Sequence, residues 1–181
     1  MPEEVFREVA SDDLPGIKRD TTAQSSVLTD WRARPLKKGT NYRVRMGYVE
    51  GDSHFMGENI QWKINYQFNW DYVIKGIGGG SFAYGVRLFS YNSQSDTSQI
   101  RAGDALRVRC DMQYWQKGGG HVKRDGRWSE GQKFIIEDGD PRWHGVISLK
   151  VASTGEYVEH RLNTACTIGH KHRARFQIME F

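Results

Sequence analysis

Few features that announce a function class are present in this sequence. Its 181 residues include two cysteines, four prolines and no apolar run of the roughly 20 residues that a membrane-spanning helix needs. Cys110 and Cys166, without C-x-x-C spacing, cannot build a disulfide framework or offer paired thiols to zinc, which points to a reducing, cytosol-like compartment. The start, MPEEVFREVASDD, lacks the basic-then-apolar order of a secretory leader. Helical periodicity and internal repeats are also missing. Aliphatic side chains are scarce, since hydrophobic residues make up only 38% of the chain while aromatics reach 12%. Six Trp, eight Tyr and eight Phe must therefore carry much of any core.

What the sequence does have is alternation. Ile60, Trp62, Ile64, Tyr66, Phe68 and Trp70 alternate with polar residues, and Tyr42, Val44, Met46 and Tyr48 do the same, the period-2 pattern of a half-buried strand. Further strands are expected at 72–77, 82–91, 105–115, 133–137, 146–152, 156–162 and 174–181, separated by turn-rich segments such as GIGGGS, NSQSDTS, QKGGGHVKRDG and STGE. Residues 1–40 hold few apolar side chains to offset their ordering entropy, so they read as a flexible arm with at most a short helix near Glu3–Ala10. The expected fold class is α+β and β-dominated: a compact single domain, 41–181, around a twisted antiparallel sheet with few short helices.

Each candidate for chemistry lacks a partner. Gly76, Gly78, Gly79 and Gly80 lead into a strand pattern with no Lys-Ser or Lys-Thr behind them, so a β-turn suits them better than a phosphate loop. His170 and His172 alternate onto one face but no further local ligand completes a zinc site. Nothing local marks Cys110, with His144 or His160, as an activated nucleophile, and Glu137, Asp138 and Asp140 fall in a turn-like stretch where carboxylates are solvated. The expectation is a protein without catalytic residues, metal or cofactor.

Charge is the remaining signal. The net charge is +4, but Arg32, Arg34, Lys37, Lys38, Arg43 and Arg45 follow one another without an intervening acid, and Lys171, Arg173 and Arg175 form a second group near the end. A third runs through Lys117, Lys123, Arg124 and Arg127, while acids gather at Glu3–Asp13 and Glu137–Asp140. Uninterrupted cations repel one another and are most useful against an acidic partner, be it lipid, nucleic acid or protein. The first two groups are the expected binding residues.

The segment WDYVIKGIGGGSFAYGVRLFSYNSQS, with NYRVRMGYVEG before it and DPRWHGVISLKVASTGE and ACTIGHKHRARFQIMEF after it, resembles the rhabdovirus matrix proteins in the order of its elements. The length and arm-plus-core layout resemble the shorter, plant-infecting members. The resemblance implies a non-enzymatic viral structural protein that self-associates and links the nucleocapsid to the inner face of the envelope, with an anionic membrane surface and RNA as further contacts. It implies a place in the virion beneath the envelope, and in the host cytoplasm and at the inner membrane face. It also implies a helix just before the Trp-Asp pair, where this sequence alternates. Pro2, Pro15, Pro35 and Pro141 stand alone, so no PPxY- or PTAP-like budding motif is present. Two rivals use other side chains: a carbohydrate-binding β-sandwich with Trp115, Trp128 and Trp143 as platforms, or a single-stranded nucleic-acid binder using the cations with Tyr42, Trp62 or Tyr114.

Overall fold

The computed structural model describes residues 27–48, 56–68, 71–78, 85–110, 112–159, 167–170 and 173–180, and the side chains of these outside 45–48, 56–68 and 71–78. The regular structure is strand: β1 (Asn41–Tyr48), β2 (Met56–Phe68), β3 (Asp71–Gly78), β4 (Val86–Ser90), β5 (Ala105–Cys110), β6 (Gln113–Gly118), β7 (His121–Asp125), β8 (Phe134–Asp138), β9 (Val146–Val151), β10 (Tyr157–Glu159), β11 (Thr167–Gly169) and β12 (Arg175–Glu180). A single 3-10 turn, Trp128–Glu130, is the one helical element among the described residues. The helical part of the α+β expectation is thereby corrected to a β architecture for these residues; Glu3–Ala10 lies outside them.

All strand pairs are antiparallel and belong to one sheet. Pairing runs from β1 to β12, β9, β8, β5 and β4, and β4 returns to β1, so that six strands close a circuit. A second circuit passes from β5 through β6, β7, β11, β10 and β9 to β8. Strands β2 and β3 connect β1 to β7. Closure of this kind satisfies backbone groups that an open edge would leave to solvent or to another chain. The alternation explains what fills the inside: Val86, Leu88, Leu106, Val108, Cys110, Trp115, Val122, Phe134, Ile136, Leu149, Phe176 and Ile178 are all buried in one cluster.

Residues 27–40, the last part of the expected arm, pack against the sheet. Leu28 donates its amide to Ile100 O, Ile100 to Leu36 O and Leu36 to Leu28 O, a three-cornered backbone exchange that carries Leu28, Leu36 and Ile100 into the core cluster. Gly145, at φ +83°, lets this segment lie close against the β8–β9 connection, because a Cβ there would run into the backbone nitrogen of Trp31. The remainder of the predicted arm, 1–26, lies outside the described residues.

Three further differences have physical causes. The expected strand 105–115 is a hairpin, β5–β6, closed by the pairing of Cys110 with Gln113. Continued alternation would have sent Met112 and Tyr114 inward with Leu106, Val108 and Cys110; instead Met112 is exposed at the turn and Trp115 enters the core. Met112 has φ +60°, a left-handed conformation in a turn without glycine, and so the sequence hides the reversal. Met112→Gly is expected to raise stability by about 1 kcal/mol by relieving that backbone; an unchanged urea midpoint would contradict it. Strand β7, HVKRD, looked like a turn because Val122 is its one apolar residue, but it pairs with β6 from Asp125↔Tyr114 to His121↔Gly118. Finally, β2 is a strand over Met56–Phe68, where the matrix-protein resemblance implies a helix.

Candidate polyanion-binding face

Of the nine cations singled out in the sequence, several are matched by acids that are remote in the chain. Buried Asp30 shapes the turn that presents them, accepting the amides of Arg32 and Arg34 at Oδ1 and the Arg34 Nε at 2.8 Å on Oδ2. Across the fold, Glu180 at the end of β12 receives Arg34 Nη2 at 2.7 Å, the Trp31 indole at 2.7 Å and Arg32 at 3.4 Å, and its carbonyl takes Arg43 Nε at 2.9 Å. Lys38 lies 3.3 Å from Asp104 and 3.8 Å from Asp96. Lys37 is exposed, with no acid paired to it among the described residues. Arg173 donates to Gly139 O and covers the Tyr157 ring, and half-buried Arg175 helps hold the Asp140 carboxyl below its ordinary value. Lys171 and the side chain of Arg45 lie outside the described residues. A stretch without acids in sequence is thus largely supplied with them in space.

Burial opposes the charge on Glu180, yet the Trp31 indole, the backbone, Arg32 and Arg34 together hold the carboxyl below its ordinary 4.5. A depressed carboxyl contributes stability that is complete above its unfolded pKa and lost as pH falls through the folded value. Glu180→Gln is therefore expected to be less stable than the parent at pH 7, with the gap closing as pH drops below about 4.5. Urea unfolding at neutral and acid pH checks this, and a gap that is equal at both would contradict it.

The aromatic platforms of the two rival readings are mostly inside. Trp115 and Trp143 are buried, as are Tyr42 and Tyr114, and Trp128 is half-buried. The side chain of Trp62 lies outside the described residues. Cys110 is fully buried, and His144 Nδ1 sits 2.8 Å from the Thr29 hydroxyl, a link between the 27–40 segment and the β8–β9 connection. Among the described residues no three His, Cys, Asp or Glu side chains gather as metal ligands would.

A different surface emerges from the strand register. Val86 pairs with Cys110 and Leu88 with Val108 on the core face, so Arg87↔Arg109 and Phe89↔Arg107 lie on the opposite face, joined by Tyr114 through its pairing with Arg109. There Phe89 and Tyr114, both buried, and half-buried Trp128 form a trio of edge-on and tilted rings, with centroids 5.5–6.3 Å apart, a base beneath the surface groups. Guanidinium groups cover it. Arg109 lies 4.9 Å above Phe89, and Arg107 is sandwiched between Tyr91 at 4.1 Å and Trp128 at 4.4 Å. Arg107 donates from Nε to Tyr91 O and from Nη1 to Trp128 O and Gly131 O, pinning the 3-10 turn to the sheet. Lys133 extends the stack 5.3 Å from the Tyr91 ring.

The electrostatics of this face are unusual. Arg87 donates to Gly39 O, Arg107 to three carbonyls, and Arg109 and Lys133 meet only rings; none of the four has a carboxylate partner among the described residues. Arg87 and Arg109 stand directly opposite each other, an arrangement of like charges that destabilises a sheet. The nearest acid on the same face by register, Asp125, is held by both arms of Arg127, whose hydrogen bonds pull its pKa down to about 2. Beside the face opens a cleft of about 630 Å³, walled by Tyr91, Gln116, Ser129, Gln132, Lys133 and Ser153, among others.

Sequence reasoning missed this site because it searched for consecutive cations. The usable signal was alternation: in VRLFSY, Arg87, Phe89 and Tyr91 take every second position, and in LRVRC so do Arg107 and Arg109, each set interleaved with core residues. The chain matches no known family model, and no curated protein matches it in sequence. The face itself must carry the functional reading.

Proposed function

We propose that this chain is a non-enzymatic binding protein that holds a nucleic-acid backbone on the outer face of β4, β5 and β6. The observation that supports it is the set of three accessible cations, Arg87, Arg109 and Lys133, set among aromatic rings over buried Arg107 and paired with no acid among the described residues. Cations that track phosphates beside aromatic rings are the common solution for single-stranded nucleic acid.

In the matrix-type reading this face would meet the nucleocapsid. Self-association, a membrane-facing surface and a place beneath a viral envelope complete that proposal; their support is the resemblance around Trp70–Ser93. Fluorescence anisotropy with a short labelled single-stranded RNA, run beside sedimentation with anionic vesicles, tests the choice. Salt-sensitive RNA binding that falls when Arg87, Arg109 and Lys133 are neutralised is expected, whether or not the vesicles also bind. Vesicle binding without RNA binding would overturn the nucleic-acid assignment.

A further inference from the structure

We infer that the cleft beside Tyr91 is a nucleotide pocket, which takes one unpaired base of the bound strand while Lys133 holds the phosphate next to it. This rests on the nucleic-acid reading of the adjoining face and deepens it, because a base can enter such a pocket only from a single strand.

Size, wall chemistry and position support it. At about 630 Å³ the cleft falls within the range of small-ligand sites. Tyr91 supplies an aromatic wall, its ring meeting Arg107 at 4.1 Å and the movable Lys133 ammonium at 5.3 Å. The polar walls offer hydrogen bonds of both kinds. Gln116 spends its amide nitrogen on Glu130 O, leaving its Oε1 as an acceptor. Gln132 accepts the Lys117 amide on Oε1 at a long 3.4 Å, leaving its Nε2 as a donor. An amide acceptor and an amide donor on two side chains that line one cleft are the chemistry that the mixed edge of a nucleobase requires. Ser129 and Ser153 add hydroxyls at the rim. On the phosphate side, Lys133 is exposed and makes no ion pair among the described residues, although Glu130 also lines the cleft, and Arg107 fixes the Tyr91 and Gly131 backbones that shape the entrance. A neutral sugar could also use a ring and amides, but it gains nothing from these cations.

The test compares a short labelled single-stranded RNA with the same sequence as a duplex. Ser153→Trp, on the exposed β9–β10 turn, fills the cleft; Gln132→Ala removes the donor without adding volume. Both variants are expected to weaken single-strand binding about tenfold, with the salt slope and the duplex affinity unchanged, since phosphate contacts on the face remain. If both leave single-strand affinity intact while Arg109→Gln reduces it, the pocket is overturned and the binding face stands. If Arg109→Gln also has no effect, both fall. Salt-insensitive binding of a neutral oligosaccharide, lost in Ser153→Trp, would likewise overturn the nucleotide assignment.

Discussion

Leu36→Ala is expected to destabilise the protein by about 2–5 kcal/mol, the cost of deleting a fully buried aliphatic side chain and leaving a partly unfilled space. The size of that effect follows from where Leu36 sits. It is wholly buried, its amide and carbonyl both join the exchange with Leu28 and Ile100, and it belongs to the same cluster as Leu106, Phe134 and Ile178. In a loose arm the same change would stay within about 0.5 kcal/mol. Urea unfolding separates the two outcomes cleanly, and a neutral result would return residues 27–40 to the arm. The neighbouring cations inherit this rigidity: Arg32 and Arg34 extend from a turn tied down by Asp30 and Glu180, so they stabilise the fold more than they advertise charge.

Replacing Arg87, Arg109 and Lys133 together by Gln is expected to lower single-stranded RNA affinity roughly a hundredfold at about 0.1 M salt. The estimate is counterion arithmetic. Each phosphate contact on a single strand contributes about 0.7 to the slope of log affinity against log salt, so removing three contacts removes about 2 from the slope and about two decades of affinity at that salt. Arg107 is left in place because its three carbonyl bonds anchor the 128–131 turn, and its loss would mix folding with binding. Removing the facing pair Arg87 and Arg109 also relieves a repulsion, so the variant is expected to melt no lower than the parent. Isothermal urea denaturation and anisotropy on one preparation report both. Lost affinity with lost stability would point to a structural role for these cations, and retained affinity would remove the face from the account.

How far the sequence could be read is clearest at particular residues. Alternation located β1 and β2, and apolar runs set between turn-rich segments located β3, β8, β9 and β12, because both are local properties of the chain. It failed at β7 and at the β5–β6 turn, where a strand with one apolar residue and a left-handed Met112 depend on pairing partners for their conformation. Charge was legible as composition but not as a field. Glu180 lies 146 residues from Arg34 in sequence and 2.7 Å from it in space, and no reading of local acids could anticipate that pairing. Conversely, Arg107 and Arg109 looked like two cations in a hydrophobic strand, and only the register with β4 shows that they share a face with Phe89 and Arg87. Which cations remain available is a property of the fold.

Photo-crosslinking of single-stranded RNA containing 4-thiouridine, followed by identification of the adducted peptides, tests the location of binding most directly. The account predicts adducts on the segments 86–91, 105–118 and 128–133, centred on Tyr91 and Trp128. Adducts confined to 31–46 and 170–175, with none on the β4–β5–β6 face, would contradict it.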